Sequence, residues 1–483
     1  MKPTLQRILI KGGVLSPSEL RQIIVTVKSL GYTSIKFGSR QDILFPYKKK
    51  DKAISDLHPN LQSYHSEEKS VQNVVCSYVS SDIFPSTSWL KGSTYLYMLE
   101  QFRYQPALKI NITDPKQRLV PLFNGELNFI ASENEDYWYL YLNLPQWEEE
   151  ARYPVLIYSW DIPAVAETIE QYYRETSDVS RLFELVNEKI QTNNRTIDTT
   201  LEIPFHPFPY YEGMNKMGPD KYWLGLYWRN NEYSISFLQE FCDFCLDCKV
   251  GKICITPWKS LIIKGIHKKY KLQLEKFLGK KGINIRHSSL ELNWHLPVDD
   301  REALTLKKFL VRNFDQNDIS TYGLTFSIEE RTQKQSYFTA AVIEKNKQPA
   351  MVKDFAVRPT YNVLHCKNFD PNTRRYFIYA QDVDKMELPG LLMELSKLYF
   401  DRLGENKPSK KGLKKEAVES VFEKDVHQCE ACLTVYDPAY GDTKNGVPTG
   451  MPFQELPVDY TCAVCEAPKS SFRPLPSSFF SSK

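Results

Sequence analysis

The chain has 483 residues and nearly balanced charge, with 62 Lys or Arg against 59 Asp or Glu and a formal charge of +3 at pH 7. This length predicts about three domains of roughly 150 residues each, and the balanced charge gives no reason to expect a nucleic-acid partner. No apolar run reaches the roughly 18 residues of a membrane span, and the amino end lacks the apolar stretch of a signal peptide, so we expect a cytoplasmic protein whose ten cysteines are thiols or metal ligands.

The first periodic segment predicts a helix followed by a strand. It begins at Ser16-Pro17, ends at Gly31, and places four apolar residues on one helix face: Leu20, Ile23, Ile24 and Val27. The same order recurs later, with a helix from about Ser236, a stop at Gly251 and a strand that ends at Ile266. Each copy closes with strands and another helix, IPAVAETIEQYYRE in the first and LPGLLMELSKLYFDRL in the second. The chain therefore predicts an internal repeat, with halves at 1–195 and 196–403.

Three segments in this order, GVLSPSEL, SRQDI and ITPWKSL, resemble the nitrite and sulfite reductase superfamily over residues 1–404. The resemblance implies an α+β fold of two repeated halves, each a ferredoxin-like half-domain followed by an α+β unit. It also implies that basic residues on one surface, here Arg40 and Lys259, hold the carboxylates of sirohaem and an anionic substrate. Each of the two can equally be an ordinary surface charge.

The superfamily's four-iron cluster is not expected in this chain. Two short-spaced cysteine pairs bind that cluster, but the matching segments contain only Cys76 in NVVCSYVSSDIFPSTSW and Cys366 in YNVLHCKNFDP. Isolated thiols in different halves do not bind a cluster that needs four thiolates. We therefore predict a repurposed relative, an electron carrier or oxidoreductase component, in preference to a complete nitrite or sulfite reductase.

A second group of cysteines begins with the spacing of a bacterial ferredoxin cluster motif. Its members are Cys242, Cys245, Cys248 and Cys254. The segment is typical of a helix that enters a strand, and helical spacing places thiols along one side of a helix and not around a point. Packing in the core is favoured over a cluster. His295, His365 and His427 have no second ligand at a suitable spacing and are expected to be structural.

A lysine-rich segment, 404–425, predicts a solvated linker between the large module and the carboxyl-terminal one. Beyond it lie two Cys-x-x-Cys pairs, Cys429/Cys432 and Cys462/Cys465, which together predict a tetrathiolate site for zinc or iron. The interval between the pairs is longer than the roughly 15 to 20 residues of a zinc ribbon. Four aromatic residues are expected to form a very small core that needs a metal to hold it: Tyr436, Phe453, Tyr460 and Phe472.

The segment from His427 to Phe472 resembles rubredoxin, a one-iron electron carrier. The resemblance implies one iron held by all four cysteines, which changes between the ferric and ferrous states without changing ligands, in a domain at 426–473 followed by a tail at 474–483. The family normally has Gly after each pair, where this chain has Leu433 and Glu466, and Trp where it has Tyr460. These departures leave all four ligands in place.

Together the two resemblances predict an electron-transfer protein with a mononuclear iron centre. Its larger module would bind a tetrapyrrole or dock redox partner proteins, either a reductase donor or an acceptor. Two alternatives remain open: a sirohaem-type nitrite or sulfite oxidoreductase fed by its own rubredoxin, and an interaction scaffold in which zinc folds the tail.

Overall fold

A computed structural model describes residues 5–46, 61–64, 73–330, 337–346, 351–352, 355–356, 359–405, 426–438 and 440–474. The chain divides into two compact units, 1–407 and 408–483. The linker predicted at 404–425 lies outside the described residues from 406 onward, and helix is still present at 404 and 405. Both units combine helices and sheets, so the predicted α+β class is confirmed.

The large unit opens with a strand-helix-strand segment. Its elements are β1 (Leu5–Ile8), β2 (Val14–Leu15), helix α1 (Pro17–Ser29), β3 (Ser34–Phe37), β4 (Ile43–Pro46) and β5 (Leu61–Tyr64). Helix α1 starts where the sequence predicts, because Ser16 accepts a hydrogen bond from the Glu19 amide while the Glu19 carboxylate accepts one from the Ser16 amide. The predicted apolar face of α1 is buried.

A mixed sheet layered with helices follows. Its elements are β6 (Val74–Cys76), α2 (Gly92–Gln101), β7 (Ile110–Thr113), β8 (Leu127–Ala131), β9 (Tyr137–Leu142), β10 (Ala151–Arg152), β11 (Val155–Tyr158), α3 (Ile162–Tyr172), α4 (Val179–Lys189) and β12 (Asn194–Thr196). The strand order is β12-β11-β9-β8-β7-β6, with β10 also on β9; β6, β7 and β8 are parallel and the remaining pairs antiparallel. All three helices contribute side chains to the core of this layer.

The second half repeats this order. Its first segment contains β13 (Gly213–Lys216), β14 (Lys221–Leu226), β15 (Tyr233–Ser234), α5 (Ile235–Asp247), β16 (Lys252–Ile255), β17 (Leu261–His267) and α6 (Lys271–Lys280). Its second contains α7 (Ser289–Leu292), β18 (Trp294–His295), α8 (Arg301–Gln316), β19 (Phe326–Glu330), β20 (Ala341–Lys345), β21 (Met351–Val352), β22 (Phe355–Ala356), β23 (Tyr361–Cys366), β24 (Tyr376–Val383) and α9 (Leu388–Glu405). The sheet β18-β19-β20-β23-β24 begins with two parallel pairs, like the sheet of the first half, and continues with two antiparallel pairs where the first half has three.

The two halves exchange a strand. The short strand before α1, β2, pairs with β16 of the second half, and the short strand before α5, β15, pairs with β3 of the first half. The resulting sheets have the orders β15-β3-β4-β1-β5 and β2-β16-β17-β14-β13. The first four strands correspond between the halves, but the edge strand β5 follows β4 in the chain whereas β13 precedes β14. Helices α1 and α5 contact each other and share one apolar core. The halves therefore fold on each other, and the predicted boundary between 195 and 196 falls inside β12.

The carboxyl-terminal unit is built around aromatic rings. Its strands are β25 (His427–Cys429), β26 (Val435–Tyr436) and β27 (Phe472–Pro474), in the order β26-β25-β27. The four predicted aromatic residues are buried together. His427 is also buried, and its ring stacks on Phe453 with centroids 3.9 Å apart. So few residues cannot bury much apolar surface, and a bound metal is the usual supplement.

Candidate metal centre

The structure brings the four carboxyl-terminal cysteines to one point. Cys432 Sγ lies 3.5 Å from Cys462 Sγ, and Cys429 Sγ lies 3.6 Å from Cys465 Sγ. All four sulfur atoms lie within 4.8 Å of one another. A tetrahedral tetrathiolate site with bonds of about 2.3 Å has sulfur atoms about 3.8 Å apart, so the cage fits one metal ion and the donors suit iron.

Each pair of cysteines lies on a tight turn with the same hydrogen bonds. In the first turn the Cys429 amide donates to the Thr434 carbonyl and the Leu433 amide to the Cys429 carbonyl. In the second, the Cys462 amide donates to Ala467 and the Glu466 amide to Cys462. Leu433 and Glu466 both have φ of 62°, the left-handed region where Gly is the usual residue. The turns therefore keep their geometry despite the two substitutions.

The first turn carries one hydroxyl that the sequence reasoning missed. Thr434 Oγ1 lies 3.1 Å from Cys432 Sγ. Hydrogen bonds from the Thr434 side chain and main chain lower the pKa of the Cys432 thiol to about 6, so this ligand favours the thiolate that a metal requires. The signal in the sequence is a hydroxyl residue two positions after a ligand.

The four ligands differ in exposure. Cys429 and Cys462 are buried, Cys432 is half-buried and Cys465 is exposed. Leu433, which follows Cys432, and Val464, which precedes Cys465, are each 66% exposed. One side of the cage thus faces solvent through sulfur and apolar groups.

In the large unit, Arg40 and Lys259 both line one groove of about 850 Å³. Arg40 is buried, and its guanidinium donates to the side chain of Asn111 and to the carbonyls of Asn73 and Ile110. Burial lowers the pKa of Arg40 to about 10. Its donors are therefore used largely within the fold, and a role in holding a cofactor stays a prediction.

Lys259 lies in the turn between β16 and β17, and its ammonium donates to the Leu296 carbonyl. Burial lowers the pKa of Lys259 to about 7, although the Glu329 carboxylate acts in the opposite direction. His295 lines the same groove, and burial, together with the Lys259 charge, lowers the pKa of its imidazole to about 4. Burial therefore lowers the tendency of both side chains to carry a positive charge.

The cysteines of the large unit are separate and buried. Cys242, Cys245 and Cys248 pack along α5 in the core shared by the two halves, and Cys254 packs in a different core on β16. Burial raises the pKa of Cys242 to about 12 and that of Cys254 to about 11, which makes both poor ligands. Within the part of the chain that the structure describes, the carboxyl-terminal cage is the one place where three or more such ligand atoms converge.

Comparison with known proteins identifies the carboxyl-terminal unit. A model of the rubredoxin family matches residues 426–472. Rubredoxin-2 of Desulfovibrio desulfuricans is 47% identical over 53 residues, which are 11% of this chain and 86% of that protein. Through this segment the chain belongs to the rubredoxin family. The predicted resemblance is confirmed, and the four cysteines fit the single iron site that it implies.

Other rubredoxins match over the same short length. The high molecular weight rubredoxin of Moorella thermoacetica is 48% identical over 46 residues, 10% of this chain and 20% of that protein. The rubredoxin of Synechocystis is also 48% identical over 46 residues, which are 40% of that protein. The chain thus spans well under two thirds of these two relatives, and the likeness concerns the rubredoxin domain alone.

The large unit is similar in fold to a solved structure, that of the NirA protein of Mycobacterium tuberculosis. The match has a TM-score of 0.63 and covers 81% of this chain and 80% of that one, at 14% identity. This shows a NirA-like fold over most of the chain, as the predicted two-half α+β fold requires. At so low an identity the likeness establishes the fold and not the activity.

The lining of the groove does not fit the sirohaem that the sequence resemblance implies. An octacarboxylate macrocycle requires a cationic wall. The described lining instead has as many carboxylates as bases: Asp42, Asp299, Asp300, Glu302 and Glu330 against Arg7, Arg40, Lys259, Arg301 and Lys345. Arg7 pairs with Asp42 and Lys345 with Glu302. The residues present do not supply the cationic wall.

Among the described residues, no helix is both long and apolar enough to cross a membrane.

Proposed function

We propose that this protein is a one-electron carrier in which the rubredoxin domain exchanges electrons with partner proteins and the large unit serves as the docking or ligand-binding module. The observation that carries the proposal is the convergence of four cysteine sulfurs, 3.5 to 3.6 Å apart in pairs, inside a rubredoxin domain. Iron held by Cys429, Cys432, Cys462 and Cys465 would supply a single-electron couple, through which the protein could exchange electrons with a donor and an acceptor protein.

The surrounding residues suit that role. The paired turns and the aromatic core fix all four sulfurs, so little needs to move when the charge of the centre changes. Cys465 brings the centre to the surface, and the exposed Leu433 and Val464 provide an apolar rim that a partner protein can cover. Excluding water at such a rim favours close approach and short electron-transfer distances.

The proposal extends to the compartment, the partners and the domain limits of the protein. We assign the protein to the cytoplasm, since none of its ten cysteines, all of which the structure describes, is in a disulfide, and a reducing compartment favours free thiols and metal-binding thiolates. Its partners would be redox proteins, a reductase as donor or an oxidised carrier as acceptor. The domain limits proposed are 1–195 and 196–403 for the two repeats, 404–425 for the linker, 426–473 for the rubredoxin domain and 474–483 for the tail.

A visible spectrum and metal analysis of the full chain purified in air test the proposal. We expect one iron per chain and ferric thiolate bands that bleach with dithionite. The variant Cys462→Ser should lose these bands while the large unit keeps its unfolding transition, because the two units are separate. Colourless protein with one zinc would overturn the proposal in favour of a scaffold, and a strong Soret band with sulfide and several irons would overturn it in favour of a reductase.

A further inference from the structure

We propose that the Thr434 hydroxyl raises the reduction potential of the iron centre by donating a hydrogen bond to Cys432 Sγ. This inference rests on the proposed electron-carrier function. Thr434 does not touch the metal position and acts through its ligand, so it is a positioning residue that tunes the site. The hydroxyl and the sulfur are 3.1 Å apart.

The direction of this hydrogen bond is fixed by chemistry. A metal-bound cysteine is a thiolate and has no proton to give. The Thr434 hydroxyl is therefore the donor and the sulfur the acceptor. The main chain holds the hydroxyl in place, because the Thr434 carbonyl accepts from the Cys429 amide and its own amide also bonds to Cys432.

The second cysteine turn provides an internal comparison. Ala467 occupies the position of Thr434: its carbonyl accepts from the Cys462 amide, and its amide bonds to Cys465. The residue before it, Glu466, has the same φ of 62° as Leu433. The two turns therefore match in backbone but not in side chain, and only the first carries a hydroxyl at this position.

The sign of the effect follows from charge. Four thiolates outweigh the charge of ferric iron by one and that of ferrous iron by two, so reduction makes the cage more negative. A hydrogen-bond donor directed at sulfur stabilises the more negative state more strongly, which raises the potential. Reduction adds one electron, supplied by dithionite in the test below, and Thr434 keeps its proton throughout.

The test measures midpoint potentials of the full iron-loaded chain by spectroscopic titration with dithionite. Thr434→Val keeps the shape of the side chain and removes the hydroxyl, so reduction should become about tenfold less favourable, about 59 mV for one electron. Thr434→Ser keeps a hydroxyl and should stay near the wild-type potential. Ala467→Thr places a hydroxyl in the second turn and should raise the potential.

A second readout is the energy of the ferric sulfur-to-iron bands, which should move to longer wavelength in Thr434→Val because the sulfur lone pairs lose their donor. Equal potentials in wild type, Thr434→Val and Ala467→Thr, each with one iron, would overturn this inference and leave the electron-carrier function intact. A wild-type chain without ferric bands would overturn both. Ala467→Thr keeps the test decisive if Thr434→Val does not retain iron.

Discussion

Gln41 and Lys259 occupy equivalent positions in the two halves of the large unit. Each is the fourth residue of a hairpin turn, after β3 and after β16, and their φ angles are 58° and 59°. Both turns are closed by the same hydrogen bond, from Gly38 to Asp42 in the first and from Thr256 to Ser260 in the second. The side-chain amide of Gln41 donates to the Cys76 carbonyl at the end of β6. The Lys259 ammonium donates to the Leu296 carbonyl just after β18. A neutral donor in one half is thus replaced by a buried cation in the other.

Replacing Lys259 by Gln, the residue found in the first half, should stabilise the large unit at pH 7. The folded pKa of Lys259 is about 7 because of burial, whereas an unfolded lysine titrates near pH 10.4. Between these values the unfolded chain binds a proton that the folded chain lacks, so the wild type gains stability as pH rises from about 7 to about 10. Lys259→Gln removes the burial cost, and we expect a gain of a few kcal/mol at pH 7, up to the roughly 4 kcal/mol that corresponds to the difference between the two pKa values.

Urea unfolding at pH 7 and pH 9.5, followed by tryptophan fluorescence, measures this effect. The difference between variant and wild type should shrink at the higher pH, which separates Lys259 from every other titrating group. Lys307 is the matched control: it is also buried, but Tyr227 and Glu291 outweigh burial and raise its pKa. Lys307→Gln should therefore destabilise the unit. A pH-independent difference at Lys259 would contradict the argument.

The buried pair of Arg7 and Asp42 should be costly to break from one side. Arg7 Nε lies 2.6 Å from Asp42 Oδ2, and both side chains are almost fully buried. Asp42→Asn leaves a buried cation without its counter-charge, and we expect a loss of about 3 to 5 kcal/mol in urea unfolding. Removing both charges with Arg7→Met and Asp42→Ser should cost less, since Ser is the residue at the equivalent position of the second turn.

An exposed ion pair gives the control for Asp42. Arg181 and Glu184 lie 2.8 Å apart, but their side chains are 50% and 61% exposed. Glu184→Gln should leave the midpoint of urea unfolding nearly unchanged, because solvent screens the pair. Similar losses for Asp42→Asn and Glu184→Gln would show that burial of the first pair has no energetic weight.

Local patterns in the sequence predicted much of this structure. The start of α1 was predictable because Ser16 and Glu19 have the spacing of a capping box. The four-cysteine cage was predictable because the Cys-x-x-Cys spacing is itself typical of a metal site. The aromatic core of the rubredoxin domain was predictable for a similar reason, since so small a unit has few other side chains to bury.

The strand exchange was not predictable in this way. Strands β2 and β15 are only two residues long, too short to show a strand periodicity. Their partner strands lie in the other half of the chain, so local sequence does not predict the pairing. The surroundings of Arg40 were hidden for the same reason, because its acceptors belong to strands distant in sequence. The contact of Thr434 with sulfur follows a residue in the left-handed conformation, Leu433. Leucine rarely adopts this conformation, so the sequence does not predict it.

The cysteines on α5 should prove structural. Cys245 is 1% exposed in the shared core, and burial raises its pKa well above the usual range. Cys245→Ala should leave the content of iron and sulfide unchanged and cost about 1 kcal/mol of stability through lost packing. Metal and sulfide analysis of variant and wild type in parallel checks this. Loss of sulfide or of additional iron on substitution would instead reveal a cluster bound by this group.

Replacing Leu433, a left-handed residue beside the cage, by glycine should stabilise the rubredoxin domain. Leu433 has φ of 62° and a side chain that is 66% exposed, so it pays for an unfavourable backbone conformation while burying little surface. Leu433→Gly relieves that strain, and after the greater flexibility of unfolded glycine is counted we expect a net gain of about 0.5 to 1 kcal/mol. The temperature at which the ferric bands disappear should rise. Leu433→Ala removes the same side chain but keeps Cβ, so it should show no such rise, and equal gains in both variants would place the effect in the side chain and not in the backbone.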